Sequence, residues 1–404
     1  MTVRIDRTAG IGRRLEQNPL ITARDVKPSM PGLEVVSAFN AATAQLDGET
    51  ILLLRVAERP RSDIDPPPGA MTLDLDGPHP VLRPLPTGYT KHDVIGMCFL
   101  DTSATKPRVV VAYIPKDLPG LDLRDPRSIR YRNGTGVLGV INEGYTDYLA
   151  QMSHLRVARS TDGVKFTVDE TPAVAPNVDV EEYGVEDPRC TFLNGVFQIT
   201  YVSVSRWGIT TSLATTEDFR TFERRGVIFL PDHKDVVIFP ERIGGKYVAL
   251  TRPMPQSFSR IFGIWIAFSD DLFQWGGHET VCLPRWNHWD ELRTGASAVP
   301  FRTKDGWLEL YHGVNRTHRY AMGAVLLDGD DPRRVLARSP VPILAPGTAY
   351  ERLGLFNDTV FSCGVVHLDE ERIRMYYGAA DSCVAAADFT VNEILASLQE
   401  WHNP

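Results

Sequence analysis

The chain has 404 residues, of which 43% are hydrophobic and 23% charged, and its formal net charge is −8. The negative charge gives no electrostatic reason to expect nucleic acid or an anionic membrane as a partner, and it favours a small neutral or sugar-like substrate. Five cysteines without C-x-x-C spacing argue against a disulfide framework or a zinc site, and the lack of long apolar runs predicts a soluble cytoplasmic protein.

Five segments each contain an apolar strand, a tight turn and a second apolar strand. In chain order they are FNAATAQLDGETILLLRV, CTFLNGVFQITYVSV, IFPERIGGKYVALTRP, AVPFRTKDGWLELYHGV and CGVVHLDEERIRMYYGAA. The first four turns contain Gly48, Gly195, Gly245 and Gly306, and glycine readily adopts the positive φ that a two-residue hairpin turn needs. We therefore predict five β-hairpins, the fifth of which turns at Asp369-Glu370.

A strand of small residues that ends in an aspartate turn is predicted after each hairpin. The marker aspartates are Asp162, Asp218, Asp271, Asp331 and Asp388, and successive markers are 53 to 60 residues apart. About four strands per unit at a nearly constant spacing are typical of propeller blades. We therefore predict an all-β fold, a five-bladed β-propeller that forms a single domain over residues 1–404. An irregular β-sandwich is the alternative.

The first unit differs from the others in length. In this unit the hairpin tip and the marker aspartate are 115 residues apart, whereas in the later units they are 18 to 26 residues apart. This difference predicts an insertion over residues 58–148, far longer than an ordinary loop, with strand candidates VIGMCFL and RVVVAYI. A lid, an oligomer contact and a small subdomain are the three interpretations. At the other end of the chain, VNEILASLQEW has helical spacing and predicts a closing C-terminal helix.

Catalytic candidates were sought at the starts of the hairpins, because propellers place functional residues around the central channel. The segment YGVEDPR brings Glu186, Asp187 and Arg189 to the entrance of one predicted inner strand. Such crowding of charges can tune a carboxyl group for acid catalysis. An Asp-Pro turn with a surface ion pair is the plainer interpretation of the same residues.

Two further groups of polar residues stand at the edges of predicted inner strands. The basic group, which could hold an anion such as phosphate by charge-assisted hydrogen bonds, contains Lys234, Arg252, Arg293 and His312. The second group, which could hydrogen-bond sugar hydroxyls, contains Asn40, Arg55, Asp358 and Asp381. Trp286 and Trp289 could stack on a sugar ring or simply pack. Taken singly, each charged residue is more often a solvated or core side chain.

Beyond these patterns, the chain resembles glycoside hydrolase family 130, the five-bladed propellers that include β-mannoside phosphorylases. The resemblance rests on ordered segments that cover nearly everything outside the insertion: NPLITARDV, FNAATAQLDGETILLLRV, SHLRVARSTDGVKF, GVEDPR, LATTEDFRTFERRGVIF, FPERIGGKYVALTRP, IWIAFSDDLFQWG, GWLELYHGV, GAVLLDGDDP and MYYGAAD. So many segments in one order form a specific signal.

The resemblance implies a mechanism and roles for individual residues. Asp187 would be the general acid of an inverting reaction in which a phosphate oxygen attacks the anomeric carbon from the opposite face. Phosphate-binding positions match Arg252, Arg293 and His312, with Lys234 beside them, and sugar-binding positions match Asn40, Arg55 and Asp381. Inorganic phosphate would be the co-substrate, with no metal or other cofactor.

One pair of residues departs from the family pattern. Lys234-Asp235 stands where mannooligosaccharide phosphorylases of the family carry Arg-Asn, and a carboxylate there repels phosphate and could instead activate water. Because the basic group is mostly retained, we expect a phosphorylase that converts short β-mannosides to α-mannose 1-phosphate. The alternatives are an inverting β-mannosidase, in which Asp235 or Glu181 positions water, and a non-catalytic sugar-binding propeller. Linkage, acceptor and a possible homo-oligomer depend on loops and on the insertion.

Overall fold

The computed structural model describes residues 10–75, 81–103, 105–125, 127–132, 145–255 and 259–401. Within these ranges the protein is an all-β fold with short helices. Among the described residues no helix is long and apolar enough to cross a membrane.

The strands are numbered in chain order. The N-terminal strands are β1 (Arg13–Arg14), β2 (Leu33–Leu46) and β3 (Glu49–Pro60). They are followed by β4 (Met71–Asp74), β5 (Val81–Pro84), β6 (Val94–Asp101), β7 (Arg108–Pro115), β8 (Leu121–Asp122), β9 (Ser128–Arg132) and β10 (Tyr145–Leu149). Next come β11 (Met152–Ser160), β12 (Thr167–Val168), β13 (Gly184–Leu193), β14 (Val196–Ser205), β15 (Gly208–Thr216) and β16 (Glu223–Phe229).

The second half of the chain continues the pattern. Its strands are β17 (His233–Ile238), β18 (Tyr247–Pro253), β19 (Ile264–Ser269), β20 (Trp275–Cys282), β21 (Arg293–Ala296), β22 (Phe301–Thr303), β23 (Gly306–Val314), β24 (Tyr320–Leu327), β25 (Val335–Arg338), β26 (Val360–His367), β27 (Arg372–Ala379), β28 (Cys383–Thr390) and β29 (Gln399–Glu400). The helices are α1 (Ala349–Arg352) and α2 (Val391–Ser397), with 3-10 turns at Ala23–Asp25 and Asp179–Glu181.

Strand pairing divides most of these strands into five units that each begin with a hairpin. The units are β2-β3-β11-β12, β13-β14-β15-β16, β17-β18-β19-β20, β21 to β25, and β26-β27-β28-β1. The first two units touch at a single parallel pair, Ser153 with Gly184, where a Cβ on Gly184 would lie 2.7 Å from the Ser153 nitrogen. Glycine is therefore required for this close approach.

The hydrophobic core is divided into clusters that lie between successive units. One cluster joins units one and two, and others join two and three, three and four, and four and five. A further cluster joins unit five back to unit one, with Leu54 and Val56 packed in the same core as Tyr376 and Val384. Each unit thus buries apolar residues against two neighbours.

The chain ends meet in the fifth unit. Strand β1 pairs with β28, with Arg13 opposite Asp388, and the Asn18 side chain exchanges hydrogen bonds with the backbone of Ala386. The predicted C-terminal helix is present as α2, but it ends at Ser397 and the next residues form β29, which pairs with β25.

The predicted hairpins are present, and three of the five aspartate turns are as expected. Asp162, Asp218 and Asp271 each accept hydrogen bonds from the backbone N–H groups two and three residues later. In the fourth unit the corresponding carboxylate is Asp328 rather than Asp331. The prediction for Asp388 was wrong, because pairing with β1 extends β28 and Asp388 binds Arg374 of the adjacent strand.

Residues between β3 and β11 form two sheets of their own. Strands β4 to β7 form a four-stranded sheet, in which the predicted strands VIGMCFL and RVVVAYI pair as β6 and β7, and β8 to β10 form a three-stranded sheet. Both sheets share one apolar cluster, which also contains Tyr183 immediately before β13.

Candidate active site

Three of the hairpins contain a β-bulge at the same place in their first strand. The register shifts at Asn40 in β2, at Asp187 in β13 and at Asp235 in β17, and these residues have φ values of 44°, 43° and 55°. Asn and Asp tolerate this left-handed conformation better than most residues, and a bulge redirects the side chain. The local sequence therefore points three polar side chains out of the regular strand pattern.

The carboxylate of Asp187 is surrounded by donors from other units. Asn40 Nδ2 lies 2.9 Å and Arg55 Nη1 lies 3.1 Å from Asp187 Oδ1, while Lys234 Nζ lies 3.6 Å from Oδ2. Arg55 also binds Glu186 Oε1 at 2.7 Å through Nη2, and its Nε donates to Ser153 Oγ. Asp187 is only 3% exposed.

The two aspartates beside Arg55 differ in pKa. Burial opposes ionisation of Asp187, but the charges of Arg55, Lys234 and Arg189 outweigh burial and lower its pKa to about 2. Burial raises the pKa of Asp381 more than the charge of Arg55 lowers it. The negative charge of Asp187 raises it further, so the pKa of Asp381 is about 6. The ligand-free site therefore contains one firmly ionised carboxylate and one that takes up a proton near pH 6.

A cavity of about 410 Å³ opens onto Asp187 and is lined by residues from all five units. Of the predicted site residues, it is lined by Asn40, Arg55, Glu186, Asp187, Lys234 and Asp381. Residues that the sequence reasoning missed also line it, among them Tyr320, Phe361, Arg127 and Arg130. No repeat position or motif marks Tyr320, and the two arginines lie in the predicted insertion, which has no counterpart in the other units.

A second group of charges lies around Asp235. Arg252 Nη2 is 2.8 Å and His312 Nε2 is 3.4 Å from Asp235 Oδ2, and Arg189 Nη2 is 3.2 Å from Oδ1. Burial disfavours the charged form of Asp235, but the charges of Arg252 and Arg189 outweigh burial and lower its pKa. Burial lowers the pKa of His312 well below its usual range despite Asp235, so this imidazole is neutral. The other His312 nitrogen lies 3.1 Å from Ser297 Oγ.

Arg293 links this group to the cavity. Its Nη1 donates a 3.2 Å hydrogen bond to the hydroxyl of Tyr320, which lines the cavity. In the described structure, the Nε atoms of Arg252 and Arg293 are buried and make no hydrogen bond. Buried donors without partners are costly, so these two arginines retain capacity to bind an anion.

Arg189, Asp235 and Asp358, which the sequence also suggested for the site, do not line the cavity. Arg189 is 1% exposed, and its guanidinium donates to the backbone carbonyls of Asp187 and Ala296 as well as to Asp235. Asp235 is fully buried among cations. Asp358 is exposed, and its backbone carbonyl accepts from Tyr320 N–H. The direction of each side chain depends on the β-bulges and on the neighbouring units, which local sequence does not show.

The two tryptophans also lie apart from the cavity. Trp289 stacks on Tyr311 with ring centroids 5.5 Å apart. Trp286 is 77% exposed, and the Arg316 guanidinium lies 4.3 Å from its ring centroid. Packing is therefore the role of Trp289. Among the described residues, no group of three or more His, Cys, Asp or Glu side chains could hold a metal ion.

The chain is similar to several proteins described as mannoside phosphorylases. A family model described as beta-1,4-mannooligosaccharide phosphorylase matches residues 126–400. The beta-1,2-mannobiose phosphorylase of Listeria innocua is 40% identical over 96% of this chain and 98% of its own length. A 1,2-beta-oligomannan phosphorylase of Thermoanaerobacter is 36% identical over 62% of this chain and 83% of its own. The solved structure of the Listeria innocua protein with beta-1,2-mannobiose covers 96% of this chain and 98% of that one, with a TM-score of 0.82 and 38% identity.

Proposed function

This chain belongs to glycoside hydrolase family 130, and from that membership we propose that it is an inverting phosphorylase that cleaves short β-mannosides with inorganic phosphate to give α-mannose 1-phosphate. The observation that carries the proposal is the position of Asp187. Its carboxyl group faces a cavity that is also lined by Lys234 and by Tyr320, whose hydroxyl accepts a hydrogen bond from the half-buried Arg293. An acid and a cationic anion site that reach the same bound sugar are what attack by phosphate requires.

We assign the sugar to the residues around Arg55. Asn40, Arg55, Glu186 and Asp381 present carboxylate, amide and guanidinium groups to the cavity. These groups suit the mixed donors and acceptors of sugar hydroxyls. We assign phosphate to Lys234, Arg252, Arg293 and His312. Of these, Lys234 lines the cavity, and Arg293 is joined to it through a hydrogen bond to Tyr320, which also lines the cavity.

Phosphate would also change the protonation of Asp187. In the ligand-free site, Arg55, Lys234 and Arg189 favour its carboxylate over its acid form. A phosphate dianion beside Lys234 offsets these charges and raises the pKa of Asp187, because a nearby negative charge disfavours ionisation. Asp187 would then take up from solvent the proton that the departing oxygen must receive. Substrate binding and formation of the acid would thus be coupled.

We propose that the five units form a five-bladed β-propeller in one domain over residues 1–404. The cyclic order of the five apolar clusters supports this architecture, because unit five packs on unit one. A second cavity of about 410 Å³ is also lined by residues of all five units, including Thr43, Cys190, Pro240, Phe301 and Val365. Two cavities, each shared by every unit, fit the two mouths of a central channel.

We further propose that the insertion over residues 58–148 selects the acceptor sugar. Arg127, Ser128 and Arg130 line the same cavity as Asp187. The Arg127 guanidinium is held by Asp125 and lies 4.4 Å from the ring centroid of Phe356. Because the insertion reaches the cavity wall, it acts as part of the site rather than as a remote subdomain. The likeness to the Listeria innocua enzyme makes β-1,2-mannobiose the first substrate to test.

The geometry gives less support to the alternatives. Neither carboxylate suggested for water activation lines the cavity: Asp235 is enclosed by Arg189, Arg252 and His312. Glu181 is buried and binds Arg224 and the hydroxyl of Tyr201. A non-catalytic sugar-binding protein would not need a buried carboxyl group together with two arginines, Arg252 and Arg293, whose buried Nε donors have no partner.

Product analysis tests the proposal directly. The protein is incubated with β-1,2-, β-1,3- and β-1,4-mannobiose, with and without inorganic phosphate, and the products are identified by NMR. We expect α-mannose 1-phosphate and free mannose from at least one disaccharide, and only when phosphate is present. Release of free mannose alone, at the same rate in both conditions, would contradict phosphorolysis and favour the hydrolase.

A further inference from the structure

Asp235 occupies the centre of the buried basic cluster. Asp235 Oδ1 accepts a hydrogen bond from Arg189, Asp235 Oδ2 forms an ion pair with Arg252 and lies 3.4 Å from His312 Nε2, and the residue has no exposed surface. A Cβ on Gly295 would lie 2.6 Å from Asp235 Oδ2 and 2.3 Å from His312 Cε1, so the carboxylate is closely enclosed. The protein thus supplies its own anion to the residues that we assign to phosphate.

A comparison with another buried aspartate separates this arrangement from an ordinary structural ion pair. Asp290 is also fully buried, and it binds Arg285, Arg338 and the hydroxyl of Tyr311. In the described structure, every buried polar atom of that group has a hydrogen-bond partner, whereas Arg252 Nε, His312 Nε2 and Asp235 Oδ2 lack one. The Asp290 group is closed, but the Asp235 group has donors to spare.

Carboxylate and phosphate oxygens compete for the same kind of donor. Both accept charge-assisted hydrogen bonds from guanidinium groups, and two anions at one site repel each other. The charged side chains around the proposed phosphate position are the cations Arg189, Lys234, Arg252 and Arg293 and the carboxylates Asp187 and Asp235. Loss of the Asp235 charge therefore leaves the cations in greater excess for an incoming dianion.

We propose that Asp235 is an internal anion that competes with phosphate for Arg252 and thereby weakens the binding of phosphate. The inference rests on the proposed function. Asp235 is a positioning residue that does not touch the sugar, and it sets the phosphate concentration at which the enzyme works. Mannooligosaccharide phosphorylases of the family carry Asn at this position. The aspartate of this chain would therefore lower the affinity for phosphate without changing the proposed acid, Asp187.

The test is the isosteric variant Asp235→Asn. Asn tolerates the φ of 55° and keeps an oxygen for Arg189, while its NH2 group replaces the oxygen that faces Arg252, so the variant removes both the charge and the acceptor that Asp235 offers to Arg252. We expect the KM for phosphate to fall about tenfold or more, since unit charges a few ångströms apart interact strongly even when well screened. The KM for the mannoside should change less than twofold. Calorimetric titration with sulfate, a dianion that does not react, should show the same gain in affinity.

Asp290→Asn is the matched control. This variant also removes a fully buried carboxylate that binds two arginines, so we expect it to lower thermal stability. Asp290 does not contact the residues that we assign to phosphate. We expect its KM for phosphate to equal that of the wild type. An unchanged or higher KM for phosphate in Asp235→Asn would overturn the inference, and a higher value would show that Asp235 instead preorganises the cations.

Folding and function are tested separately. If phosphate can replace the carboxylate, phosphate should raise the melting temperature of Asp235→Asn more than that of the wild type. A variant that stays unfolded in saturating phosphate would overturn the inference. Wild-type protein that forms no α-mannose 1-phosphate would instead contradict the proposed function. If the wild type is active but Asp235→Asn has the same KM for phosphate, only the role of Asp235 is contradicted.

Discussion

Arg55 Nη1 lies 3.1 Å from Asp187 Oδ1, although the two residues belong to different hairpins. With Lys234 on the other oxygen, this contact keeps Asp187 ionised in the ligand-free protein. These cations thus favour the conjugate base of the group that we propose as the proton donor.

Asp187→Asn should abolish most phosphorolysis. An amide cannot protonate the departing oxygen, and general acid catalysis typically contributes about 10² to 10⁴-fold to the rate. The rate of α-mannose 1-phosphate release measures the loss. Asp47→Asn is the control, because Asp47 has a similar φ of 51° but lies at an exposed hairpin tip. Full turnover by Asp187→Asn would remove Asp187 from the mechanism.

Asp381→Asn should change the pH dependence of stability. The folded-state pKa of Asp381 is raised to about 6, above the ordinary value of 3.8, so its contribution to stability is fully present below about pH 3.8 and is lost as the pH rises through 6. Asparagine does not titrate. The melting temperature of the variant relative to wild type should therefore rise between pH 4 and 6 and stay constant above. A difference that is independent of pH would show that Asp381 titrates normally.

Gly378→Ala should disturb the site from the neighbouring strand. A Cβ at Gly378 would lie 2.0 Å from Asn40 Oδ1, and Asn40 donates to Asp187. We expect kcat to fall about tenfold and stability to fall by about 1–3 kcal/mol, the usual cost of overpacking. Gly276→Ala in β20 is the control, because a Cβ there meets no atom within 4 Å. Equal activity of both variants would show that Asn40 is not needed to position the acid.

Arg127→Ala should weaken mannoside binding but not phosphate binding. Arg127 lines the cavity on the side of the insertion, so we expect the KM for the mannoside to rise about fivefold or more while the KM for phosphate stays constant. Arg61→Ala is the control, because Arg61 forms the same bidentate pair with an aspartate two residues away but does not line the cavity. If both variants bind the mannoside like wild type, the insertion does not select the acceptor.

The hairpins and several site residues could be predicted from the sequence because their causes are local. Gly48, Gly195 and Gly245 have positive φ at the tips where the sequence places them. The segment containing Asp187 lies near the start of β13, whereas Asn40 and Arg55 lie within β2 and β3 and Asp381 lies between β27 and β28. Turn chemistry and strand alternation act over a few residues, so they are readable without knowledge of the fold.

The arrangement of charges was decided only by the tertiary structure. Asp235 and Lys234 are adjacent in sequence, yet one side chain is enclosed by Arg252 and His312 while the other lines the cavity with Asp187. Likewise, nothing local shows that Arg127 of the insertion reaches the same cavity. The sequence by itself determined which strands form and where they turn. The direction of each side chain depended on bulges and on contacts between units far apart in the chain, because burial and ion pairing are properties of the packed molecule.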